Sequence, residues 1–316
     1  MADLMQKSKK ELIVMFQNKE VALQSLQNEH QMTETMSLDT SWNALLRPWI
    51  SNRYFDVPCP PSFETGAPDS SLINAWWLCE LSRLIYRQGP DETGPDANLP
   101  TRSEILHGVG MREIETFSNG TNYCALIESR DSSSQPFAAL VFRGTCGFEG
   151  WLSNLKAIQT CWPGGGLVHS GFKTDFLRLW QKIESTLLKI DLPLFFTGHS
   201  LGGALAILAA SMLPAKAVYT FGAPKTGDAV FADSLKNARI YRFENDRDII
   251  PTVPPSAIPF DFCHCGVPIC LKDDMRTGLE SSSARGLTDP PDFLSDHAPV
   301  NYTIRLETGL FQSRSS

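Results

Sequence analysis

A serine stands between small residues in the segment Gly198-His199-Ser200-Leu201-Gly202. The spacing Gly-x-Ser-x-Gly is typical of a nucleophile elbow, a sharp turn between a strand and a helix that holds the serine at its tip. A serine hydroxyl is a weak nucleophile at neutral pH, so this chemistry needs a histidine to take its proton and a carboxylate to orient the histidine. In the elbow fold these partners follow the serine in the order Asp, then His.

The flanking apolar runs match the strand and helix that such a turn requires. Residues 193–197 form an apolar run of strand length, and residues 201–210 form one of helix length that is rich in small side chains. Small side chains let a helix pack closely on a sheet. The pentapeptide alone arises by chance in roughly one chain in ten of this size, so this context carries the interpretation. The competing interpretation is a glycine-rich loop with an incidental serine.

Three carboxylates compete for the role of the acid within residues 243–255, just after a predicted strand. Active sites of open α/β sheets form at the carboxyl ends of strands. We favour Asp248, because the apolar residues 249–251 would hold its loop against the core. Glu244 and Asp246 lie among polar neighbours and are expected to face solvent.

Two of the six histidines follow Asp248, namely His264 and His297. His264 lies in a strand-like stretch, where an inward histidine is more often a hydrogen-bonded core residue than a base. We favour His297, which stands at a predicted junction between a loop and a helix, from which a base can reach the serine. The adjacent Asp296 is not expected to orient it, because sequence neighbours on a loop rarely face each other.

Strands alternate with helices along most of the chain, which predicts a mostly parallel sheet covered by helices on both faces. Besides the elbow segments, the predicted strands are residues 123–128, 137–142, 217–221 and 239–243, and the predicted helices are residues 72–87, 172–190 and 229–236. A further amphipathic helix is predicted within residues 3–30. It would pack on the domain, form a dimer arm or lie on a membrane surface.

The composition narrows the classes of partner. The chain has 316 residues, 42% of them hydrophobic, and a formal net charge of -7. This negative charge gives no electrostatic reason to bind nucleic acid or an anionic membrane. A lipid would therefore bind to apolar surface of the protein. No segment approaches the ~20 apolar residues of a transmembrane helix.

The first 16 residues lack the apolar region and cleavage site of a signal peptide. We therefore predict a cytoplasmic protein whose eight cysteines are reduced thiols, with signal-independent secretion as the alternative. The group Cys263, His264, Cys265 and Cys270 suggests zinc, but His264 would face away from both flanking cysteines on a strand. We expect no metal site and no cofactor.

Five blocks of sequence resemble the class 3 lipases, the fungal-lipase-like branch of the α/β-hydrolases. Together with His297 and Tyr302 they cover roughly residues 70–305. The resemblance implies an α/β-hydrolase fold, with a helical extension at residues 1–70, a catalytic domain at 71–311 and a disordered tail at 312–316. The matching blocks are residues 141–145, 168–172, 197–206, 220–227 and 245–255.

The resemblance implies a serine carboxylester hydrolase that cleaves acylglycerol or related lipid esters without a cofactor. In this family Ser200 would be the nucleophile, Asp248 the orienting acid and His297 the base. The backbone N–H groups of Thr145 and Leu201 would form the oxyanion hole. Open alternatives are a phospholipase A1, a short-chain esterase or an acyltransferase on the same triad, and a catalytically silent binding module.

A lid follows the oxyanion residue in this family, and here the corresponding segment, residues 146–152, is short and glycine-rich. Its apolar side chains Phe148, Trp151 and Leu152 are expected to cover the acyl site. Trp151 has the alternative of packing into the core at the start of the next helix.

Overall fold

The computed structural model describes residues 38–50, 53–57, 59–87, 100–120, 122–129, 135–145, 158–256, 261–271 and 290–315. The amphipathic helix predicted within residues 3–30 lies outside the described part of the chain. The helices are α1 Trp42–Leu46, α2 Leu72–Leu84, α3 Arg102–Gly108, α4 Ser170–Leu187, α5 Leu201–Met212, α6 Ala229–Ser234, α7 Asp292–Ser295 and α8 Pro299–Ser315, with short 3₁₀ helices at Pro48–Ile50 and Ile250–Thr252. The strands are β1 Met111–Ser118, β2 Tyr123–Ser129, β3 Phe137–Phe142, β4 Gln159–Cys161, β5 Leu167–His169, β6 Leu194–His199, β7 Ala217–Phe221, β8 Ile240–Asn245 and β9 Val267–Leu271.

Seven strands form the central sheet in the order β1-β2-β3-β6-β7-β8-β9. Strands β3, β6, β7, β8 and β9 pair in parallel, whereas β1, β2 and β3 pair antiparallel. The prediction of a mostly parallel sheet is therefore confirmed. The parallel strands all end at one edge of the sheet, and the residues that follow β6, β7 and β8 meet there.

Helices cover both faces of the central strands of the sheet. On β6, Phe195 packs in one apolar cluster with Trp76 of α2, and Phe196 packs in the other with Phe176 of α4. Burying one such side chain stabilises the fold by roughly 1.5–3 kcal/mol. Since successive side chains of a strand face opposite sides, the continuous apolar run of β6 is the pattern expected of a strand covered on both faces.

The apolar core includes residues well before the predicted domain boundary at residues 70 and 71. Phe55 and Phe63 belong to the same cluster as α2, and the Phe55 ring centre lies 5.2 Å from that of Trp77. Both side chains thus pack in the core together with α2. At the other end, α8 continues to Ser315 into the predicted tail, because Leu310 packs on the core and anchors its last turns.

The segment 38–50 crosses to the carboxyl edge of the sheet and is fastened there. The backbone N–H of Asp39 donates to Asn301 Oδ1 at 2.8 Å, and Asn301 Nδ2 donates to the Asp39 carbonyl at 2.9 Å. Leu45 of α1 packs in an apolar cluster with Ile250 and Ala298. These partners neighbour Asp248 and His297 in the chain, so this segment supports the loops that carry both residues.

Replacing Asn301 with Ala should lower the free energy of unfolding by about 1–3 kcal/mol, because it leaves two backbone groups of Asp39 without their partner. In thermal unfolding, each kcal/mol corresponds to roughly 2–4 °C for a domain of this size. The matched control is Asp39→Ala, which removes the exposed side-chain bond to the Ser41 N–H and keeps both backbone bonds to Asn301. Equal melting temperatures for the two variants would contradict this account of the segment.

Candidate active site

Ser200 occupies the turn between β6 and α5 with backbone angles of φ 58° and ψ -131°. A non-glycine residue adopts this conformation only under strain, which the surrounding contacts must hold in place. The Ser200 N–H donates to the Phe221 carbonyl at 2.9 Å, and the Ser200 carbonyl accepts from the Gly203 N–H at 2.9 Å. The observed strand, turn and helix are those expected of a nucleophile elbow.

The two glycines of the elbow are required by close backbone approach. A Cβ atom on Gly198 would lie 2.3 Å from the carbonyl carbon of Gly202. One on Gly202 would lie 2.2 Å from the carbonyl oxygen of Phe142, at the end of the neighbouring strand β3. Any side chain at either position would therefore push the start of α5 away from the sheet.

The structure brings the three predicted residues into one hydrogen-bonded line. The distance from Ser200 Oγ to His297 Nε2 is 2.9 Å, and that from His297 Nδ1 to Asp248 Oδ2 is 2.7 Å. A carboxylate only accepts hydrogen bonds, so Nδ1 carries the proton and Nε2 is left to accept from the serine hydroxyl. All three side chains are buried. This arrangement allows proton transfer from the serine to the histidine.

Three donors surround the Asp248 carboxylate. Oδ2 accepts from His297 Nδ1 at 2.7 Å and from the Tyr302 hydroxyl at 2.6 Å, while Oδ1 accepts from the Ile250 N–H at 2.8 Å. Burying a carboxylate costs free energy unless its oxygens accept hydrogen bonds, and these three donors meet that need. Burial and the neighbouring Asp248 raise the pKa of Tyr302 well above its usual value, so the phenol stays protonated and donates.

The other carboxylates considered as the acid have different partners. Glu244 forms an ion pair with Arg242, and Asp246 lies 3.7 Å from the side chain of Arg247. Asp296, the neighbour of His297, accepts from the Arg247 backbone N–H at 3.2 Å. Of these carboxylates, Asp248 is the one for which the structure gives a hydrogen bond to His297 Nδ1.

Gly222 and Tyr302 complete the site, and sequence reasoning assigned no role to either. Gly222 has a φ of 58°, and a Cβ atom there would lie 2.7 Å from Asp248 Oδ2, 2.9 Å from the Tyr302 hydroxyl and 3.0 Å from His297 Nδ1. Two features of the sequence could have indicated these residues: Gly222 stands at the carboxyl end of a predicted strand, and Tyr302 follows the favoured histidine by five positions.

Thr145 and Leu201 lie on the two backbone segments that approach each other beside Ser200. Leu201 is the first residue of α5, and the first amides of a helix lack an intrahelical acceptor. The Thr145 hydroxyl oxygen is buried and has no hydrogen-bond partner among the described residues. The predicted lid residues Phe148, Trp151 and Leu152 lie outside the part of the chain that the structure describes.

His264 does not contact the triad. Its Nε2–H donates to the Pro251 carbonyl at 2.7 Å, and burial together with the Arg242 charge lowers its pKa to about 4. A neutral His264 therefore holds the loop that follows Asp248.

In the described ranges, no group of three or more His, Cys, Asp or Glu residues is placed to hold a metal ion. None of the described helices is long and apolar enough to span a membrane.

The chain is similar in sequence to known lipases. Residues 139–257 match the family model described as Lipase (class 3). A lipase of Rhizomucor miehei is 31% identical over 228 residues, covering 63% of this chain and 60% of that protein. A secreted mono- and diacylglycerol lipase of Fusarium solani is 32% identical over 138 residues, covering 39% of this chain and 40% of that one. The chain thus spans less than two thirds of the length of these curated relatives.

The solved structures include the native propeptide complex of Rhizomucor miehei lipase, with a TM-score of 0.53. This match has 21% sequence identity and covers 84% of this chain and 93% of that one. It supports the shared α/β-hydrolase fold, which confirms the predicted fold class.

The prediction of a cytoplasmic location is wrong. It rested on the composition of the first 16 residues, whereas the fungal relatives include a secreted enzyme. The expectation of eight reduced thiols depended on the same argument and loses that basis. The structure describes seven of the cysteines, and each is a free thiol in it.

Replacing Gly222 with Ala should slow the labelling of Ser200 by a fluorophosphonate at least about 100-fold, because a methyl group would displace His297 or Asp248 by an amount on the order of an ångström. Labelling is followed by mass spectrometry. The control is Gly120→Ala, where φ is also positive at 86° but no atom lies within 4 Å of the added Cβ. If both variants were slowed equally, the effect would come from backbone strain in general and not from crowding of the site.

Proposed function

We propose that this chain, whose residues 139–257 match the class 3 lipase family model, is a serine carboxylester hydrolase that cleaves acylglycerols or related lipid esters. The observation that carries the proposal is the continuous line from Ser200 Oγ through His297 to Asp248, with contacts of 2.9 and 2.7 Å. Its position in a strained elbow at the carboxyl edge of the sheet is the second support.

Acylation begins when Ser200 Oγ attacks the carbonyl carbon of the ester and its proton passes to His297 Nε2. Asp248 stabilises the imidazolium through the Nδ1–H bond. The carbonyl oxygen becomes an oxyanion that accepts from the N–H groups of Thr145 and Leu201. The intermediate then collapses: the bond to the alcohol oxygen breaks, the alcohol leaves with the proton from Nε2, and the acyl group stays on Ser200.

Deacylation repeats these steps with water. His297 Nε2 takes a proton from the water, whose oxygen forms a bond to the acyl carbon. The bond to Ser200 Oγ then breaks and the serine recovers its proton, so the products are a carboxylic acid and the free enzyme. An alcohol in place of water would give a new ester, which is the acyltransferase alternative.

Exposed apolar side chains close in sequence to the triad residues support an ester with an apolar acyl group. Ile249 and Phe293 are 36% and 44% exposed, and the Ile249 N–H donates to the Phe293 carbonyl at 3.3 Å. They neighbour Asp248 and His297 in the chain. With a net charge of -7, this protein would recognise lipid through such surface rather than through charge.

The triad is tested by single and double substitutions. Ser200→Ala and His297→Ala should each lower kcat by a factor on the order of 10⁴–10⁶, and the double variant should be hardly worse, because the residues act as one unit. Hydrolysis of p-nitrophenyl butyrate measures kcat, and circular dichroism checks the fold. Additive losses in the double variant would count against the assignment. If a fluorophosphonate failed to label the wild-type protein, the catalytically silent binding module would be favoured.

The position of the acid is tested separately. Asp248→Asn should lower kcat by about 10⁴-fold, as expected when the histidine tautomer is wrong. Asp246→Asn is the matched control two residues away, on a partly exposed carboxylate next to Arg247. Its kcat should remain within about 3-fold of the wild-type value, since it removes a weak surface pair. A severe loss in Asp246→Asn would show that the acid had been assigned to the wrong residue.

The substrate class is tested with p-nitrophenyl esters of increasing acyl length, an emulsified triacylglycerol and a phosphatidylcholine. We expect kcat/KM to rise with acyl length, by up to about 0.8 kcal/mol per buried CH₂, and free fatty acid to be released from the triacylglycerol. A preference for the shortest esters would indicate a short-chain esterase. Faster release from the phospholipid would indicate a phospholipase A1, and transfer to an added alcohol an acyltransferase.

A further inference from the structure

His199 is the residue between Gly198 and the nucleophile, and its side chain is almost completely buried. The imidazole Nε2 lies 2.8 Å from the backbone carbonyl oxygen of His297, and Nδ1 lies 2.9 Å from the Tyr86 hydroxyl. A carbonyl oxygen only accepts, so Nε2 carries the proton and donates it. Nδ1 is then an acceptor, and the Tyr86 hydroxyl must donate to it.

This ring remains neutral when the base next to it becomes charged. Burial and the adjacent His297 lower the pKa of His199 well below its usual value. The ring centres of His199 and His297 are 4.6 Å apart, and the ring of Tyr302 lies 5.8 Å from that of His199. The titratable groups that face His199 are therefore Tyr86, His297 and Tyr302. A second cation here would oppose the imidazolium that forms on His297 during the reaction.

Tyr86 and His199 also contact the segment that carries the predicted oxyanion residue. A Cβ atom on Gly144 would lie 2.1 Å from the Tyr86 hydroxyl oxygen and 2.7 Å from the His199 carbonyl oxygen. The backbone just before Thr145 thus packs directly on both residues. The same pair touches the oxyanion segment on one side and the backbone of the base on the other.

His297 stands outside regular secondary structure, between α7 and α8, so its backbone needs other supports. Its N–H donates to the Leu294 carbonyl at 3.0 Å, and its carbonyl accepts from His199 Nε2 at 2.8 Å. The first bond is local to the loop. The second ties the loop to the last residue of β6, which directly precedes Ser200.

We propose that His199 and Tyr86 are positioning residues for the reaction, which hold the His297 backbone in register with Ser200 and the oxyanion segment. The proposal rests on the proposed hydrolase function. Tyr86 acts through His199, since its hydroxyl fills the Nδ1 lone pair and orients the ring so that Nε2–H points at the His297 carbonyl.

The test compares His199→Leu, His199→Gln and Tyr86→Phe in the full chain with p-nitrophenyl butyrate, after active-site titration. His199→Leu should lower kcat about 100-fold with little change in KM, because the base is displaced but the substrate contacts remain. His199→Gln should recover most of that loss, since its amide N–H can still donate to the carbonyl. Tyr86→Phe should lie between them, about 10-fold below wild type, as expected for one lost hydrogen bond.

Ser82→Ala is the matched control. Ser82 lies on α2 and its hydroxyl is 3.0 Å from that of Thr197 on β6, so the variant also loses a buried hydrogen bond between these elements without touching the triad. Its kcat should match the wild type even where its melting temperature falls. The inference is overturned if His199→Leu keeps kcat within about 3-fold of wild type, or if His199→Gln is as slow as His199→Leu at equal melting temperature.

A crystal structure of His199→Leu separates this inference from the proposed function. We expect the distance between His297 Nε2 and Ser200 Oγ to exceed hydrogen-bond length in the variant, which can be measured whether or not the protein hydrolyses esters. A wild type without esterase activity would refute the function, and an unchanged distance in the variant would refute the positioning role.

Discussion

The close approach of two backbones at Gly198 and Gly202 is the constraint on which the rest of the site depends. A single residue, Ser200, separates the end of β6 from the start of α5, and the first turn of α5 lies against the end of β3 because neither glycine carries a Cβ atom. The chain can make this turn only by placing Ser200 in a strained conformation, which then holds its hydroxyl at the edge of the sheet. The same approach brings the amide of Leu201 beside the segment that follows β3. The positions of the proposed nucleophile and of the proposed oxyanion donors thus both follow from one packing contact.

The buried carboxylate of Asp248 organises the other half of the site. Its three hydrogen-bond donors come from the loop after β8, the loop before α8 and α8 itself. Because each lost donor would leave the buried carboxylate with one hydrogen bond fewer, these segments stabilise one another in this arrangement. The bonds between Asp39 and Asn301 attach residues 38–50 to the same assembly from outside. His297, the proposed base, therefore lies in a loop that contacts of several neighbouring segments hold in place.

Local patterns explain which parts could be predicted from sequence. The elbow, the central strands and the order of the triad are visible in apolar runs, glycines and their spacing. The edge strand β1 was missed because Arg112, Glu113 and Glu115 break its apolar pattern, and β9 because it contains Pro268 and is largely exposed. Edge strands are not covered on both faces, so their sequences carry a weaker signal. The burial of Phe55 and the contacts of Tyr302 depend on packing between segments that are far apart in the chain. Such packing produces no periodic pattern in the sequence, so it could not be predicted from it.

The residue type at position 199 illustrates how one side chain can meet several demands at once. The site at the end of β6 needs a donor toward the His297 carbonyl and an acceptor toward the Tyr86 hydroxyl, on a group that stays uncharged while buried. A neutral imidazole offers one donor and one acceptor on opposite sides of a rigid ring. Lysine or arginine would add a charge beside the imidazolium, and serine or threonine would be too short to bridge both partners. The first variable position of Gly-x-Ser-x-Gly is therefore constrained here by the two groups that the side chain bonds, the His297 carbonyl and the Tyr86 hydroxyl, and not by the turn itself.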